Sequence, residues 1–343
     1  MDAQRFKAIA EKYPTLRVAV LGDFCLDRYF EIDPAKEEIS IETGLPVHNV
    51  INVRAQPGGA GTVLNNLSAL GIGEIYPIGF AGDDGEGFEL GRALENLPGV
   101  RLNFFVRTAG RRTFTYYKPL VVAPNCPPRE LNRLDIKNWT PTPAPVQDLL
   151  TNHLLAAAKL VNTVVVMNQT DVPETGVVTK TLLRTLQDFA AMEPRRLILA
   201  DSRRGLSDFP PVVFKMNAAE LSALMGTQGE LSLDQIRESA IGLARRNHQP
   251  VFVTLAERGI IHAAPDGTSD HVHALPVRGQ IDVVGAGDAV TANLTAALAA
   301  GATLREALEI ATVAASVVIH KLGTTGTASP GEIENVIKNN FLS

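Results

Sequence analysis

The chain has 343 residues, 45% of them hydrophobic and 20% charged, with 28 glycines, 21 prolines and two cysteines. That length can bury a sizeable core without disulfides or a structural metal, and it divides into one large or two smaller domains. Thirty-two basic against 37 acidic side chains give −5, a balance that argues against a basic nucleic-acid footprint and against charge-driven disorder.

The opening MDAQRFKAIAEKYPTLRVAVLGD lacks the apolar core of a signal peptide, and no run approaches the roughly 18 apolar residues of a membrane span. Cys25 and Cys126 have no paired spacing for zinc. Two reduced thiols in a cytoplasmic protein, with neither nucleic acid nor membrane as partner, are the expectation.

Along the chain, the first strand is predicted at Leu16–Gly22 and ends on Asp23. Residues 28–57 alternate (LPVHNVINVRA) with no helical period, which predicts an antiparallel ribbon standing apart as a lid. Pro57-Gly-Gly-Ala-Gly61 then opens a helix through Gly71. The glycines partly match a dinucleotide fingerprint, but Leu64 takes the third glycine position and a ribbon precedes them, so a Rossmann cofactor site is disfavoured. A second alternating stretch, residues 100–135 (RRTFTYYKPLVV), is assigned to the same lid. The Pro-rich Thr140–Pro145 leads back to the core.

From there strands and helices alternate. Strands are predicted at Val161–Met167, Arg196–Ala200, Val212–Met216, Val251–Thr254 and Gly259–Ala263, with helices such as Pro173–Met192 and Leu233–Asn247 between them. This is the pattern of βαβ units on a mainly parallel sheet. Near-continuous apolar strands such as VVVM suit a sheet covered on both faces. Capping boxes at Thr303–Glu306 and Ser329–Glu332, the second with Pro330 at the first helical position, mark the last two helices.

In such a sheet ligands bind beyond the carboxyl ends of the strands. Here those ends carry Asp23, Asn168, Asp201, Asn217 and Thr254, a polar rim. The strongest motif is Asp282-Val-Val-Gly-Ala-Gly-Asp288 before the apolar helix AVTANLTAALAAG. Gly285 and Gly287 permit a tight turn that exposes N–H groups at a helix N-terminus, where an anion such as a transferring phosphate is favoured. Asp288 in the first turn is placed to accept the proton of an attacking hydroxyl. A Gly-rich turn with an acidic cap is the plainer alternative on spacing alone. The chain has no P-loop, no H-E-x-x-H and no nucleophile elbow. His271 and His273, alone in an alternating run, are predicted as surface strand residues rather than metal ligands.

These residues resemble the PfkB/ribokinase family of carbohydrate kinases. DVVGAGD with its helix is similar to that family's C-terminal signature, and PGGAGTVLNNLSALG to its N-terminal glycine signature. GDFCLD, GDDGEG (Gly82–Gly87), NAAE (Asn217–Glu220) and VTLAERG (Val253–Gly259) follow in the family's order from residue 17 to about 335. VVIHKLGTTG (Val317–Gly326) and the RLD at Arg133–Asp135 lean toward the heptose-phosphate kinase branch. The resemblance implies a ribokinase-like three-layer α/β/α core with a small β-sheet lid, one kinase domain over residues 1–343, transferring the ATP γ-phosphoryl to a sugar or sugar-phosphate hydroxyl.

By position, the resemblance makes Asp288 the catalytic base and the amides of Gly285, Ala286 and Gly287 its anion hole. Asp23, Gly58, Gly59 and Thr62 become sugar-binding positions. Asn217 and Glu220 act indirectly on Mg²⁺, while Thr254, Glu257, Gly259 and Gly323 lie along the nucleotide. Asp282, with the Lys321–Thr327 loop, marks a monovalent-cation region suited to K⁺, and the lid implies a homodimer.

Val284, Thr62 and Ala256 depart from the family's usual Thr, Asn and Gly, and Asn168-Gln-Thr-Asp171 replaces an acidic-aromatic stretch. Two alternatives follow. One is a nucleoside kinase with an aromatic wall from Phe24, Phe114, Tyr116 and Tyr117; the other is a catalytically silent sugar or nucleotide sensor. Arg111, Arg112, Lys118, Arg203 and Arg204 are the candidates to hold a phosphorylated acceptor.

Overall fold

A computed structural model describes residues 1–340 apart from 125, 127 and 228; residues 125 and 127 fall within the predicted lid and 341–343 at the end of the predicted kinase domain, outside the described residues. Helix α1 (Ala3–Ala10) leads to strand β1 (Arg17–Gly22), and after Asp23 the chain runs straight into β2 (Phe24–Ile32). A two-stranded turn, β3 (Glu38–Ile39) and β4 (Pro46–Val47), precedes β5 (Val50–Gly59) and α2 (Ala60–Ala69). Then come β6 (Glu74–Gly82), α3 (Gly85–Glu95), β7 (Phe105–Thr108) and β8 (Phe114–Val121). The short β9 (Arg129–Glu130) and β10 (Leu134–Ile136) are followed by α4 (Ala144–Ala158), β11 (Thr163–Asn168), α5 (Lys180–Met192), β12 (Leu197–Ser202) and β13 (Val213–Asn217). Helices α6 (Ala218–Leu224) and α7 (Leu233–Asn247) lead to β14 (Val251–Thr254), β15 (Ile260–Ala263) and β16 (Ser269–Val272). The chain ends in α8 (Ala286–Ala299), α9 (Leu304–Ile319) and α10 (Pro330–Asn340).

Nine strands form the main sheet in the order β16-β15-β14-β13-β12-β11-β1-β6-β7. All neighbours from β14 to β7 are parallel, and β15 and β16 add an antiparallel edge. Apolar layers cover both faces. One contains residues of α1, α2, α8, α9 and α10; the other contains residues of α4, α5 and α7. Between them β11 is buried at all of its positions, as its uninterrupted apolar run requires.

A second, smaller sheet, ordered β10-β8-β2-β5 with β9 beside β8, forms from the stretches expected to make the lid. Its pairing is mixed, since β2 runs parallel to β8 while β5 and β10 are antiparallel to their neighbours. Two boundaries differ from expectation. The lid strand β2 starts at Phe24, and residues 105–108 belong to the edge of the main sheet rather than to the lid.

No strand is predicted at β6, where Pro77 stands in mid-strand, while β7 falls within the stretch assigned to the lid. The fold accommodates the proline through pairing geometry. Ile75 uses both its N–H and its C=O on the β7 side, to Gly99 and Arg101. Two residues on, the missing N–H of Pro77 faces that same side, where Leu102–Phe104 make a 3-10 turn instead of a strand. The helix predicted from Pro173 begins only at Lys180, capped by the Thr179 hydroxyl on Leu182 N–H. Residues 173–179 are a loop drawn toward Asp23, as described next.

Candidate active site

All five polar strand ends lie on one edge of the main sheet, as adjacent register shows for Met167 with Asp201 and Asn217 with Thr254. Their roles differ. The Asp23 carboxylate is buried and accepts the N–H groups of Gln169 (2.8 Å), Thr170 (3.2 Å) and Val177 (2.6 Å). Burial pushes the carboxyl up, with the three N–H bonds opposing it. Only glycine fits at 176, where a side chain would begin 2.3 Å from Asp23 Oδ1. Asp23 therefore anchors the loop after β11, which leaves its oxygens committed to backbone rather than open to a sugar.

The carboxylate that faces the lid is Asp27, four residues on and absent from the sequence-derived site. It is buried on the inner side of β2, 3.1 Å from Lys118 Nζ on β8. Lys118 also donates to Tyr29 Oη (3.3 Å). Gly58 closes against this pair, since a Cβ there would lie 2.9 Å from Asp27 Oδ2 and 2.7 Å from Cys25 Sγ. Gly59, at φ +59°, passes Asp23 C=O equally closely. The two glycines thus let β5 approach β2 closely, while Thr62 is buried in the first turn of α2. The signal for Asp27 was an ionisable side chain inside the apolar run CLDRYF, in alternation with Cys25 and Tyr29.

The anion loop is built as its glycines imply. Gly285 caps α8 at φ +83°, a left-handed conformation natural to glycine. The first intrahelical bond runs from Ala289 N–H to Gly285 C=O, so the N–H groups of Gly287 and Asp288 precede the helical ladder. The Ala286 N–H is held by Val283 C=O at 3.2 Å, which takes one of the three expected hole amides into the turn. Asp282 braces the loop, accepting Val284 N–H (3.0 Å) and Gly323 N–H (3.2 Å).

Below the loop sits a charged residue that motif reading missed. Lys215, on β13 and 6% exposed, places Nζ 2.7 Å from Asp201 Oδ2, which also accepts the Thr291 hydroxyl at 2.9 Å. A Cβ at Gly287 would come 3.4 Å from Lys215 Nζ, so this ammonium lies directly under the open N-terminus of α8. Burial pulls its pKa down, but Asp201 reverses the shift and holds Lys215 protonated. Packing pushes the Asp288 carboxyl up to about 7, with Asp201 adding to the rise and Lys215 and Arg203 opposing it. A carboxylate poised near neutrality at a helix N-terminus suits proton abstraction.

Asn217 and Glu220 make a reciprocal capping box on α6, each side chain accepting the other's N–H at 2.8 Å. Their structural role is therefore realised, and Glu220 is pushed up by burial beside Asp201. Among the described residues no group of three or more His, Cys, Asp or Glu could hold a metal ion. His271 instead bonds Arg258 C=O and packs against His273.

Two cavities flank the loop. One of about 780 Å³ is lined by Asn217, Thr254, Glu257, Gly259, Ala286 and Gly287, with the apolar Leu255, Val290, Ala315 and Ile319. It unites most of the residues predicted to lie along a nucleotide. The other, about 840 Å³, opens between the lid residues Tyr29, Lys118 and Glu130 and the segments Gly279–Val284 and Leu322–Thr324. Asp282 and Gly323 therefore lie on the lid side. Ile281 and Val283 line both cavities, so the anion loop is the wall between them.

Comparison with known proteins gives a consistent picture. The model of the pfkB family carbohydrate kinases matches residues 16–330. A bifunctional protein HldE of Halorhodospira halophila is 35% identical over 332 residues, covering 93% of this chain and 63% of that protein. A bifunctional protein HldE of Hyphomonas neptunium is 31% identical, covering 97% and 65%. The chain thus spans under two thirds of the length of these relatives. A ribokinase of Arabidopsis thaliana solved with ribose and ATP superposes with a TM-score of 0.69 at 17% identity, over 94% of this chain and 99% of that one. Phosphofructokinase-2 of Escherichia coli with fructose-6-phosphate gives 0.68 at 19%, over 94% and 99%. These two show the shared fold.

Proposed function

The chain belongs to the pfkB family of carbohydrate kinases, ATP-dependent phosphotransferases, and we propose that it phosphorylates a hydroxyl of a sugar phosphate, with a heptose phosphate the leading candidate. The observation that carries the reading is Asp288, its carboxyl raised to about 7, in the first turn of α8 directly after Ala286 and Gly287, which line the 780 Å³ cavity, with Lys215 close beneath Gly287.

In this reading the acceptor lies between lid and loop, its hydroxyls received by Asp27 and Lys118 and its ring brought close by Gly58 and Gly59. Asp288 removes the proton of the attacking hydroxyl. The N–H groups at the start of α8 and the Lys215 ammonium take up the charge that develops on the transferring group, so that catalysis comes from position and electrostatics. The lining suits a triphosphate, combining the apolar Leu255, Val290, Ala315 and Ile319 with Ala286 and Gly287 at the start of α8. Mg²⁺ would neutralise phosphate charge on the side of Asn217 and Glu220, through the polar surface that their capping box presents. K⁺ is assigned to the oxygen-bearing turn around Asp282 and Gly323.

Of the five basic candidates for an acceptor phosphate, four have partners within the protein. Arg111 is buried and donates to the carbonyls of Thr140, Pro141 and Thr175. Arg112 pairs with Asp84 and Glu86, and Lys118 with Asp27. Arg203 lies 3.7 Å from Asp171 on the exposed surface, and the charges of Arg203 and Arg204 reach Asp288 and Asp23 respectively. The aromatic wall of a nucleoside pocket does not assemble. Phe24 and Phe114 are buried against Phe105 and Phe80, and Tyr117 stacks on Phe30. The lid also presents exposed Ile39, Ile41, Leu45, Val50, Ile51 and Val53, an apolar area that supports a homodimer through the lid.

The test is a coupled ATP assay across free and phosphorylated hexoses and heptoses. Turnover with phosphorylated sugars, lost selectively in Arg203→Ala with Arg204→Ala, is expected. Ligand-induced thermal stabilisation without ATP consumption for any sugar would favour the silent sensor instead.

A further inference from the structure

The lid and the anion loop are joined by one side chain. Gln56, on β5 opposite Asp27 in the register, stands two residues before Gly58. Its amide is used at both ends: Nε2 donates to Thr325 Oγ1 at 2.7 Å, and Oε1 accepts from Thr324 Oγ1 at 2.9 Å. The Nε2 group also reaches Tyr29 Oη at 3.3 Å. Thr325 is buried and packs on the α8 cap, since a Cβ at Gly285 would lie 3.1 Å from Thr325 Cβ. Two residues earlier, Gly323 N–H bonds Asp282, which also holds Val284 N–H. Arg54, also on β5, donates to Gly323 C=O at 3.2 Å. The segment 323–325 is therefore held from one side by the lid and braces the anion loop from the other.

We propose that Gln56 is a positioning residue that couples acceptor-dependent lid placement to the geometry of the Gly285–Asp288 loop. An acceptor drawn against Gly58 and Asp27 sets the position of β5. The two hydroxyl bonds of Gln56 carry that position to Thr324 and Thr325, and Thr325 transmits it to the turn that presents the α8 N–H groups. The consequence is a kinase whose hole is in register when the lid is seated, which restrains transfer to water. The inference rests on the kinase reading for its catalytic consequence, but the physical coupling stands on the bonds alone.

Gln56→Met keeps the side-chain length and removes both bonds; Thr325→Val keeps the shape against Gly285 and removes one. Each is expected to lower kcat about tenfold, the scale of one or two neutral hydrogen bonds lost from the transition state. KM for ATP should stay within about twofold, and more ATP should be hydrolysed per acceptor phosphorylated. The double variant should be no slower than the worse single one, because the two changes break one link. Gln56→Glu, whose carboxylate accepts from both threonine hydroxyls, should recover most of the rate. A purely structural Gln56 would instead lower the melting temperature with kcat and coupling ratio unmoved; that outcome, or additive losses in the double variant, overturns the proposal.

An inactive wild type would sink the kinase reading without touching the link. Amide hydrogen exchange of residues 282–288 in the ligand-free protein then decides. Exchange about fivefold faster in Gln56→Met supports the link, and unchanged exchange refutes it.

Discussion

Replacing Asp288 by Asn should make the protein more stable at alkaline pH while removing its activity. Raising a carboxyl from its usual 3.8 to about 7 corresponds to at most about 4 kcal/mol held against the ionised form. The cleft side of the carboxyl is open to solvent, which screens part of that, and the N-terminus of α8 returns about 0.5–1 kcal/mol to a carboxylate but not to an amide. A net gain of about 1–2 kcal/mol, or about 2–4 °C in Tm, is therefore expected for Asp288→Asn at pH 8. The sign follows from proton binding. Between about pH 4 and 7 the folded protein keeps a proton on Asp288 that the unfolded chain has released, so the wild type loses stability from this group as pH rises. The variant does not, and the Tm difference should shrink toward zero near pH 4 and level off above 7. In parallel, kcat should fall about 10²–10⁴-fold, and wild-type kcat/KM should climb to a plateau above about pH 7. A variant no more stable than wild type at pH 8, or a flat wild-type profile from pH 5.5 to 8.5, would refute the assignment of Asp288 as a buried-side base.

Two further outcomes follow from the same site. Lys215→Met strands the buried Asp201 carboxylate and should cost about 3–5 kcal/mol, read by urea unfolding, whereas Lys215→Met with Asp201→Asn should recover most of that stability without recovering kcat. Ala256 holds φ +52° beside the nucleotide cavity, a left-handed conformation that costs a residue with a Cβ about 1–2 kcal/mol. Ala256→Gly gives back about 0.4–1 kcal/mol of that as unfolded-state entropy. It should raise Tm by about 1–2 °C with KM for ATP unchanged, and a fall in Tm would show that the strain lies elsewhere.

Where the chain could be read from sequence, one physical rule sufficed for each element. The buried parallel strands showed as unbroken apolar runs, α7 showed in full from its helical pattern, and the glycine-rich turn before α8 showed because glycine at 285 and 287 has few other uses before an apolar helix. Failures came where the deciding partner was distant. Pro77 is tolerated in mid-strand because the 3-10 turn at Leu102–Phe104 leaves its missing N–H unneeded, a partner no local pattern reveals. The segment after Pro173 had helical spacing, but Gly176 and Val177 are held by Asp23, more than 150 positions away in the chain.

The Asp23 and Asp27 pair shows why a strand-end rule is incomplete. Both carboxylates follow β1, and both are buried. What separates them is which hydrogen-bond donors meet them. Asp23 meets three backbone N–H groups of a crossover loop, which fix its oxygens in the scaffold. Asp27 meets a side-chain ammonium on β8, Lys118, which also donates to Tyr29 Oη and keeps one proton to turn toward an acceptor. A carboxylate satisfied by backbone has little left to exchange with a ligand, whereas one satisfied by a flexible ammonium can trade that partner for a sugar hydroxyl as the lid closes. By the same test Lys215 fits the proposed chemistry. Asp201 takes one of its three protons, and the open end of α8 lies where the others point to developing negative charge.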